Sequence, residues 1–210
     1  RYIDKDTGVY CPVVRIDLSK IRPAGEPIRT FGGTSAGPVP LARLLKRAEY
    51  VLGEAWLLGG MNGPLAMELD HGIATCVVSG NVRRSARMSI MHWNDPWIDW
   101  FLKCKESGIS HWSTNISVEI DDEFISYLQE NSSPESEWDI EKRNRARRVY
   151  RSIIEGMLTN GEPGIWNSSL SNVGEPNPVS ATNPCGEICL EEWENCNLGH
   201  VNLDSFVNPD

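Results

Sequence analysis

Segments with strand-like and helix-like patterns alternate along this chain of 210 residues, and that order limits the fold more than any other feature. Apolar residues recur at helical spacing in 41–58 and 65–78, and a polar link from residue 132 leads into a long helix closed by Gly161. Residues 115–120 alternate like a strand. Strands that alternate with helices favour an α/β architecture with a mainly parallel sheet or barrel. The other predicted strands are 9–18 and the end of 82–91, and the other predicted helices are 95–106, begun by an Asp95 cap and Pro96, and 121–131.

Charge and cysteine content narrow the classes of function. The net charge of −9 provides no basic field for nucleic acid or for an anionic membrane. No apolar run reaches the roughly 18 residues of a transmembrane helix, and no segment resembles a signal peptide. The six cysteines are too sparse for a disulfide scaffold, which is typical of a cytoplasmic enzyme, and we expect Cys11, Cys76 and Cys104 to be buried. We interpret both ends of the chain as cuts through a larger protein.

The stretch "ATNPCGEICLEEWENCNLGHVNL" places three cysteines and a glutamate in one turn-rich segment near the end of the chain. Pro184 removes a backbone donor and restricts Asn183 to extended geometry, while Gly186 permits a tight reversal. The prediction is a stiff loop with Cys185 at its tip. Asn183 and Glu187 flank that tip, close enough to touch the same ligand.

The pairing of a thiol with a carboxylate indicates the kind of chemistry. A thiol held beside a negative charge ionises poorly, which argues against an ordinary nucleophile at Cys185. The arrangement suits a reaction in which the sulfur handles a hydrogen atom and Glu187 handles a proton. Cys196 supplies a second thiol for redox work, whereas Cys189, in an apolar run, is predicted to lie in the core.

Two glycine-containing loops are candidate phosphate sites. Glycines let backbone N–H groups approach phosphates, and hydroxyl or guanidinium groups add donors. A plain surface turn explains the first loop, "PIRTFGGTSAG", and a solvated basic turn explains the second, "VVSGNVRRSA", just as simply. The candidate ligand-binding residues are Arg29, Thr34 and Ser35 in the first loop and Ser79, Gly80, Asn81, Arg83 and Arg84 in the second.

Several stretches of the chain resemble ribonucleotide reductases. Asn-Pro-Cys-Gly-Glu with a downstream Cys-Asn-Leu-Gly is a specific combination of that family. Further similar stretches, in the same chain order, span nearly the whole sequence: "IRPAGEPIRTFGGTSAGPVPL", "VVSGNVRRSARM", "DPWIDWFLKCK", "NISVEIDDEF" and "NGEPGIWN". The residues of "TFGGTSAGP" and "SGNVRRSA" are most similar to those of the adenosylcobalamin-dependent class of the family.

The resemblance implies a fold and a division of the chain. Residues 1–210 would be a fragment of the catalytic domain, a ten-stranded α/β barrel. A central finger loop at about 181–190 would carry the radical cysteine. Effector loops would lie at about 22–40 and 76–88.

The resemblance also implies residue roles in the reduction of ribonucleotides to deoxyribonucleotides for DNA synthesis. Cys185 would carry the thiyl radical that removes the 3′-hydrogen of the ribose. Glu187 would take the proton of the 3′-hydroxyl, and Asn183 would bind the substrate hydroxyls. Cys196 would belong to the thiol pair that reduces the 2′ position and ends as a disulfide, with its partner expected upstream of Arg1.

The implied ligands and partners complete this interpretation. Adenosylcobalamin would supply the radical, although no residue here is assigned to hold it. A deoxynucleotide effector would bind the two glycine loops, and Arg83 would relay its identity to the substrate. A thioredoxin-like reductant would act through thiols outside these residues. No nucleic acid or membrane partner is implied.

Two alternatives remain open from the sequence. The chain could belong to the class of the same reductases that is independent of cobalamin, in which a second subunit generates the radical. More remotely, Cys185, Cys189, Cys196 and His200 could form the zinc site of a binding module. The preferred interpretation assigns no metal ligands.

Overall fold

The computed structural model describes residues 2–3, 10–11, 14–30, 32–81, 84–129 and 137–207. The strands are β1 (Tyr2–Ile3), β2 (Tyr10–Cys11), β3 (Met88–His92), β4 (Asn115–Ile120), β5 (Gly164–Asn167), β6 (Ala181–Thr182) and β7 (Cys189–Leu190). The helices are α1 (Val39–Leu57), α2 (Gly63–Val78), α3 (Ile98–Phe101), α4 (Asp122–Leu128), α5 (Glu137–Asn160) and α6 (Ser168–Ser171), with a 3-10 turn at Leu203–Phe206.

A three-stranded parallel sheet, in the order β3-β4-β5, forms the centre of the structure. Met88 pairs with Asn115 at one end of the first ladder, and Ser117 pairs with Gly164 in the second. Consecutive residues of β4, from Ile116 to Val118, are all buried, as expected for a parallel strand covered on both faces. The α/β prediction with a parallel sheet is therefore confirmed, whereas a ten-stranded barrel is not seen among the described residues.

Helices α3, α4 and α5 cover this sheet and complete its core. Asp121 caps α4, because its Oδ1 accepts hydrogen bonds from the backbone N–H of Phe124 and from the Trp93 indole N–H. Helix α5 ends at Gly161, whose φ of +79° is the left-handed conformation of a helix C-cap glycine. The core consists of Met67, Met91, Trp93, Ile98, Phe101, Ile116, Val118, Phe124, Ala146, Val149 and Ile153.

Helices α1 and α2 pack against each other and confirm the two helices predicted from apolar spacing. Asn62 caps α2 by accepting a hydrogen bond from the backbone N–H of Leu65, and proline follows at the first helical turn. None of the helices in the described part of the chain is both long and apolar enough to cross a membrane.

Two predicted elements are shorter than the sequence suggests. Among the described residues, the predicted strand 9–18 is strand only at β2, and the segment from Val14 to Leu18 is not part of a strand. Val14, Ile16 and Leu18 line a groove together with residues of α1, and Val14 and Ile16 are exposed. The prediction that this segment is a buried strand is therefore wrong for residues 14–18.

The predicted helix 95–106 is reduced to the single turn α3. Asp95 accepts a hydrogen bond from the backbone N–H of Trp97, but the helix begins only at Ile98. Beyond it the chain continues as turns with hydrogen bonds to the third residue back, such as Cys104 N–H to the Phe101 carbonyl. Tertiary contacts take over there, since Lys105 donates to the Thr114 carbonyl and pairs with Glu162.

Candidate functional site

The predicted finger loop is a hairpin formed by β6 and β7. Ala181 pairs with Leu190 and Thr182 with Cys189, both antiparallel. At the tip, Gly186 has a φ of +87°, a conformation that favours glycine and makes the reversal possible. The loop predicted from Pro184 and Gly186 is therefore present, and short strand pairing closes its base.

Asn183 holds the hairpin tip together from inside. The residue is 4% exposed, and its backbone N–H donates to the Ile188 carbonyl at 3.0 Å. Its side-chain oxygen accepts two further hydrogen bonds, from the N–H groups of Gly186 and Ile188, each at 3.1 Å. The side-chain oxygen of Asn183 therefore stabilises the turn by accepting these two hydrogen bonds, a role that the sequence pattern did not predict.

Cys185 and Glu187 are both exposed on the hairpin tip that Asn183 stabilises. The residues that follow each of them, Gly186 and Ile188, are hydrogen-bonded to Asn183, while both side chains are open to a ligand. A thiol and a carboxylate two residues apart on a stiff turn can act on neighbouring atoms of one small molecule.

Cys196 contacts the side chain of Asn183 as well. The side-chain nitrogen of Asn183 donates to Sγ of Cys196 at 3.5 Å, so one carboxamide touches both the hairpin tip and the second thiol. The five cysteines whose side chains are described are all free. Cys189 is half-buried, and the half-buried Cys104 has its pKa raised by burial to about 11, which fits an inert thiol.

The hairpin tip meets the parallel sheet at the amino ends of two strands. The side-chain nitrogen of Asn115, the first residue of β4, donates to the Pro184 carbonyl at 2.6 Å. Met88, the first residue of β3, brings its methyl group to 3.9 Å from the point where a Cβ on Gly186 would stand. Sequence analysis missed both residues. Asn115 lies 69 residues from Pro184 along the chain, and no local pattern predicts that either residue stands beside the loop.

The two predicted effector loops come together around one cavity of about 300 Å³. Four of the candidate residues line it, namely Thr34, Ser35, Ser79 and Gly80. The approach is close, because a Cβ on Gly80 would stand 3.5 Å from the Thr34 carbonyl oxygen. Cys76 also lines the cavity, half-buried.

The cavity walls are held by local hydrogen bonds. The Ser35 hydroxyl donates to the Arg22 carbonyl at 3.0 Å and accepts from the backbone N–H of Gly37 at 3.1 Å. Ser79 donates its hydroxyl to the Cys76 carbonyl at 2.7 Å. These two hydroxyls stabilise the loops, so the polar surface left for a ligand is mainly backbone.

Three other candidates of these loops, Arg29, Asn81 and Arg84, are described and do not line the cavity. Arg29 and Arg84 are exposed, and Asn81 has a φ of +55° at the end of the Ser-Gly-Asn turn. Arg83 lies outside the described residues. Past this point Arg87, which the sequence did not single out, anchors the second loop to α2 through an ion pair with Asp70.

The zinc alternative finds no support in this geometry. Within the described residues, which include Cys185, Cys189, Cys196 and His200, no group of three or more potential ligands could hold a metal ion. The hydrogen bonds of Asn183 connect the hairpin tip to Cys196.

Comparison with protein families gives two matches along the chain. Residues 126–210 match the ribonucleotide reductase barrel domain, which includes the hairpin and Cys196. Residues 6–52 match the insertion domain of B12-dependent ribonucleotide reductases, which includes the first glycine loop.

Individual relatives agree with these matches. A protein of Mycobacterium phage D29, provisionally named an adenosylcobalamin-dependent ribonucleoside-triphosphate reductase, is 51% identical over 91% of this chain and 28% of its own length. The adenosylcobalamin-dependent ribonucleoside-triphosphate reductase of Lactobacillus leichmannii is 34% identical over 89% of this chain and 23% of its own length. A crystal structure of a B12-dependent (class II) ribonucleotide reductase superposes with a TM-score of 0.61 at 32% identity, covering 86% of this chain and 23% of that one. The chain thus spans about a quarter of the length of these relatives.

Proposed function

We propose, from the premise that this chain belongs to the ribonucleotide reductase family and is most similar to its adenosylcobalamin-dependent class, that it carries the radical site of such an enzyme. The reaction is the reduction of ribonucleotides to deoxyribonucleotides. The relatives are named as ribonucleoside-triphosphate reductases, and we assign the same substrate class to the whole protein.

The roles proposed for the hairpin follow from where its side chains lie. Cys185, exposed at the tip, carries the thiyl that takes the 3′-hydrogen of the ribose. Glu187, exposed two residues on, accepts the proton of the 3′-hydroxyl, which requires hydrogen-bond reach to that group. Cys196 provides one of the two thiols that reduce the 2′ position and end as a disulfide.

Asn183 has a wider proposed role than substrate binding. Its oxygen is already shared by two loop N–H groups, while its nitrogen lies against Cys196. The amide that binds a substrate hydroxyl is then also the group that shapes the radical loop and contacts the reducing thiol.

The exposure of Cys185 is the feature of this chain that is compatible with the proposed cofactor. Adenosylcobalamin, when bound, supplies the radical equivalent that is passed to the cysteine. The Cys185 thiol is exposed on the outer side of a stiff tip, where a large group can approach the sulfur. None of the residues described above is assigned as a cobalamin-binding residue.

The cavity between the glycine loops is the proposed site for a deoxynucleotide effector. Backbone N–H groups around Gly80 and Thr34 can approach phosphates, since both residues line the cavity and Gly80 has no side chain to fill it. Arg83, beside this cavity in sequence, remains the predicted relay to the substrate. Reduction by a thioredoxin-like partner and a cytoplasmic location also stay predictions.

One observation carries the proposed function most directly: the same carboxamide, Asn183, joins the loop that exposes Cys185 to the thiol of Cys196. The test uses the full-length protein with adenosylcobalamin under anaerobic conditions. Cys185→Ser should abolish deoxynucleotide formation, whereas Cys189→Ser, on the half-buried strand next to the tip, should keep it. Wild-type turnover by Cys185→Ser would refute the proposal.

The same assay separates the two reductase classes. We expect activity only when adenosylcobalamin is added, in line with the insertion-domain match. Activity that needs a second protein and no cobalamin would instead place the enzyme with the cobalamin-independent class.

A further inference from the structure

The contacts that fix the shape of the radical loop differ from those that fix its position relative to the parallel sheet. The bonds of Asn183 to Gly186 and Ile188, and the pairing of β6 with β7, all run within the hairpin. They fix the turn but leave the hairpin free to tilt as a unit. A radical cysteine must be placed to within about an ångström of its reaction partners, so tilt matters.

Among the described residues, one hydrogen bond joins the tip, residues 183–188, to the parallel sheet. Nδ2 of Asn115 donates to the Pro184 carbonyl oxygen at 2.6 Å. The only neighbour that a Cβ on Gly186 would meet within 4 Å is the Met88 methyl group, at 3.9 Å. The hydrogen bond from Asn115 is therefore the contact that holds the tip against the sheet, and the Met88 methyl group lies close to Gly186 at the start of the neighbouring strand.

The acceptor of this bond belongs to the peptide group that carries Cys185. A peptide unit is planar, so the Pro184 oxygen, the Cys185 nitrogen and the Cys185 Cα lie in one plane. The proline ring also fixes φ at Pro184. Holding the oxygen therefore fixes the orientation of the plane from which the Cys185 side chain projects.

The donor stands on a rigid base. Asn115 begins β4 opposite Met88, and its backbone N–H donates to the Arg87 carbonyl at 2.9 Å. Its own carbonyl accepts a hydrogen bond from the Thr114 hydroxyl at 3.0 Å. The next residue, Ile116, is 3% exposed, so β4 is anchored in the core directly behind the donor.

We propose that Asn115 is a positioning residue that sets the place of Cys185 by holding the Pro184–Cys185 peptide group. The inference rests on the proposed function of Cys185 as the radical cysteine. Asn115 itself touches the loop backbone and acts on the reaction only through Cys185.

The test compares three substitutions at Asn115 in the full-length protein. Asn115→Ala removes the donor, Asn115→Asp keeps the size but replaces the donor with an acceptor, and Asn115→Gln keeps a donor on a longer side chain. Asn177→Ala is the matched control, because Asn177 is also an exposed asparagine with one side-chain hydrogen bond, to Glu191 on the far side of the hairpin.

Two readouts are measured. The first is the rate at which iodoacetamide alkylates Cys185 without substrate or cofactor, followed by peptide mass spectrometry with Cys189 as internal reference. We expect the alanine variant to raise this rate about threefold to tenfold, the effect of losing one net hydrogen bond. The aspartate variant also adds a negative charge near the Cys185 thiol, which disfavours the reacting thiolate, so that variant is compared by turnover alone. The second is turnover, where kcat should fall about tenfold or more while KM changes little, since the loss is in alignment.

The labelling rates and kcat values of the Asn115 and Asn177 variants together test whether Asn115 positions Cys185. Asn115→Gln should recover part of both changes, and Asn177→Ala should match the wild type. Unchanged Cys185 labelling in Asn115→Ala would overturn the proposal. Labelling needs no catalysis, so it tests the positioning of the loop even if Cys185→Ser should show that the proposed function is wrong.

Discussion

The side-chain nitrogen of Asn183 lies 3.5 Å from Sγ of Cys196, while the oxygen of the same carboxamide accepts two hydrogen bonds from the hairpin tip. The loop that exposes Cys185 is thus in direct contact with the thiol proposed to reduce the substrate. A chemical change at the Cys196 sulfur, such as disulfide formation, therefore alters a direct contact of Asn183, the residue that stabilises the tip.

Asn183→Asp should slow the alkylation of Cys196. The substitution keeps an oxygen for the N–H groups of Gly186 and Ile188 but places a negative charge next to the sulfur. Because the thiolate is the reacting form and a nearby carboxylate disfavours it, we expect the labelling rate of Cys196 at pH 8 to fall about tenfold. Peptide mass spectrometry after timed labelling measures this rate.

The control for that experiment is Asn202→Asp, which adds the same charge at an exposed residue that accepts a hydrogen bond from the backbone N–H of Asp204. It should leave the labelling of Cys196 unchanged. Equal labelling of wild type and Asn183→Asp would show that the contact between Asn183 and Cys196 does not exist in solution.

Glu187→Gln should lower turnover on the order of a hundredfold, because the amide keeps the size of the side chain but cannot accept the proton. Substrate binding should be affected far less, since Glu187 is exposed and no hydrogen bond of the hairpin depends on it. Glu192→Gln, five residues on and also exposed, is the matched control and should behave as wild type. Steady-state formation of deoxynucleotide under anaerobic conditions measures both variants, and near-normal turnover by Glu187→Gln would remove that residue from the mechanism.

Gly80→Val should weaken effector binding about tenfold or more. A Cβ at this position already stands 3.5 Å from the Thr34 carbonyl oxygen and 3.8 Å from the Ala36 methyl group, so the two further methyl groups of valine must enter the cavity between the loops. Calorimetric titration with each deoxynucleoside triphosphate measures the Kd. Gly53→Val, on α1 with open space around its Cβ position, serves as the control. Unaltered affinity for every effector would place the site elsewhere.

Asp121→Ala should destabilise the protein by about 1–3 kcal/mol at neutral pH, since one carboxylate caps α4 and binds Trp93 and His92. Burial alone would raise the pKa of Asp121, but hydrogen bonds from Phe124, His92 and Trp93 together hold that pKa below its ordinary value. A carboxyl group whose pKa is lower in the folded state contributes stability above its unfolded pKa of about 4 and loses it as the pH falls through the folded pKa.

The difference in Tm between wild type and Asp121→Ala should therefore be largest near pH 7 and shrink below about pH 4. The neighbouring Asp122→Ala variant, which removes an exposed carboxylate from the same helix turn, should lower Tm much less at every pH. A pH-independent difference for Asp121→Ala would mean that the charge of this carboxylate does not matter.

The sequence by itself determined the elements whose signals are local. Apolar spacing located α1 and α2, Gly161 ended α5, alternation marked β4, and the Pro-Cys-Gly order required a turn with Cys185 at its tip. Each of these depends on backbone restrictions or on the period of one segment, which neighbours a few residues away already fix. The family motif likewise named Cys185 and Glu187 without any fold.

Tertiary structure decided everything that depends on distant partners. Residues 14–18 were predicted to continue a buried strand, yet the structure gives them no strand pairing, and Val14 and Ile16 are exposed beside a groove lined also by α1. The local sequence predicts Asn115 only as the first residue of a strand, whereas its hydrogen bond to the loop that exposes Cys185 depends on Pro184, which lies 69 residues away along the chain. Asn183 is buried at the tip, and its side-chain oxygen accepts hydrogen bonds from two N–H groups of the turn, a role that the local sequence did not predict. Hydrogen-bond partners across the fold are set by packing of the whole sheet, and no short stretch of sequence contains that information.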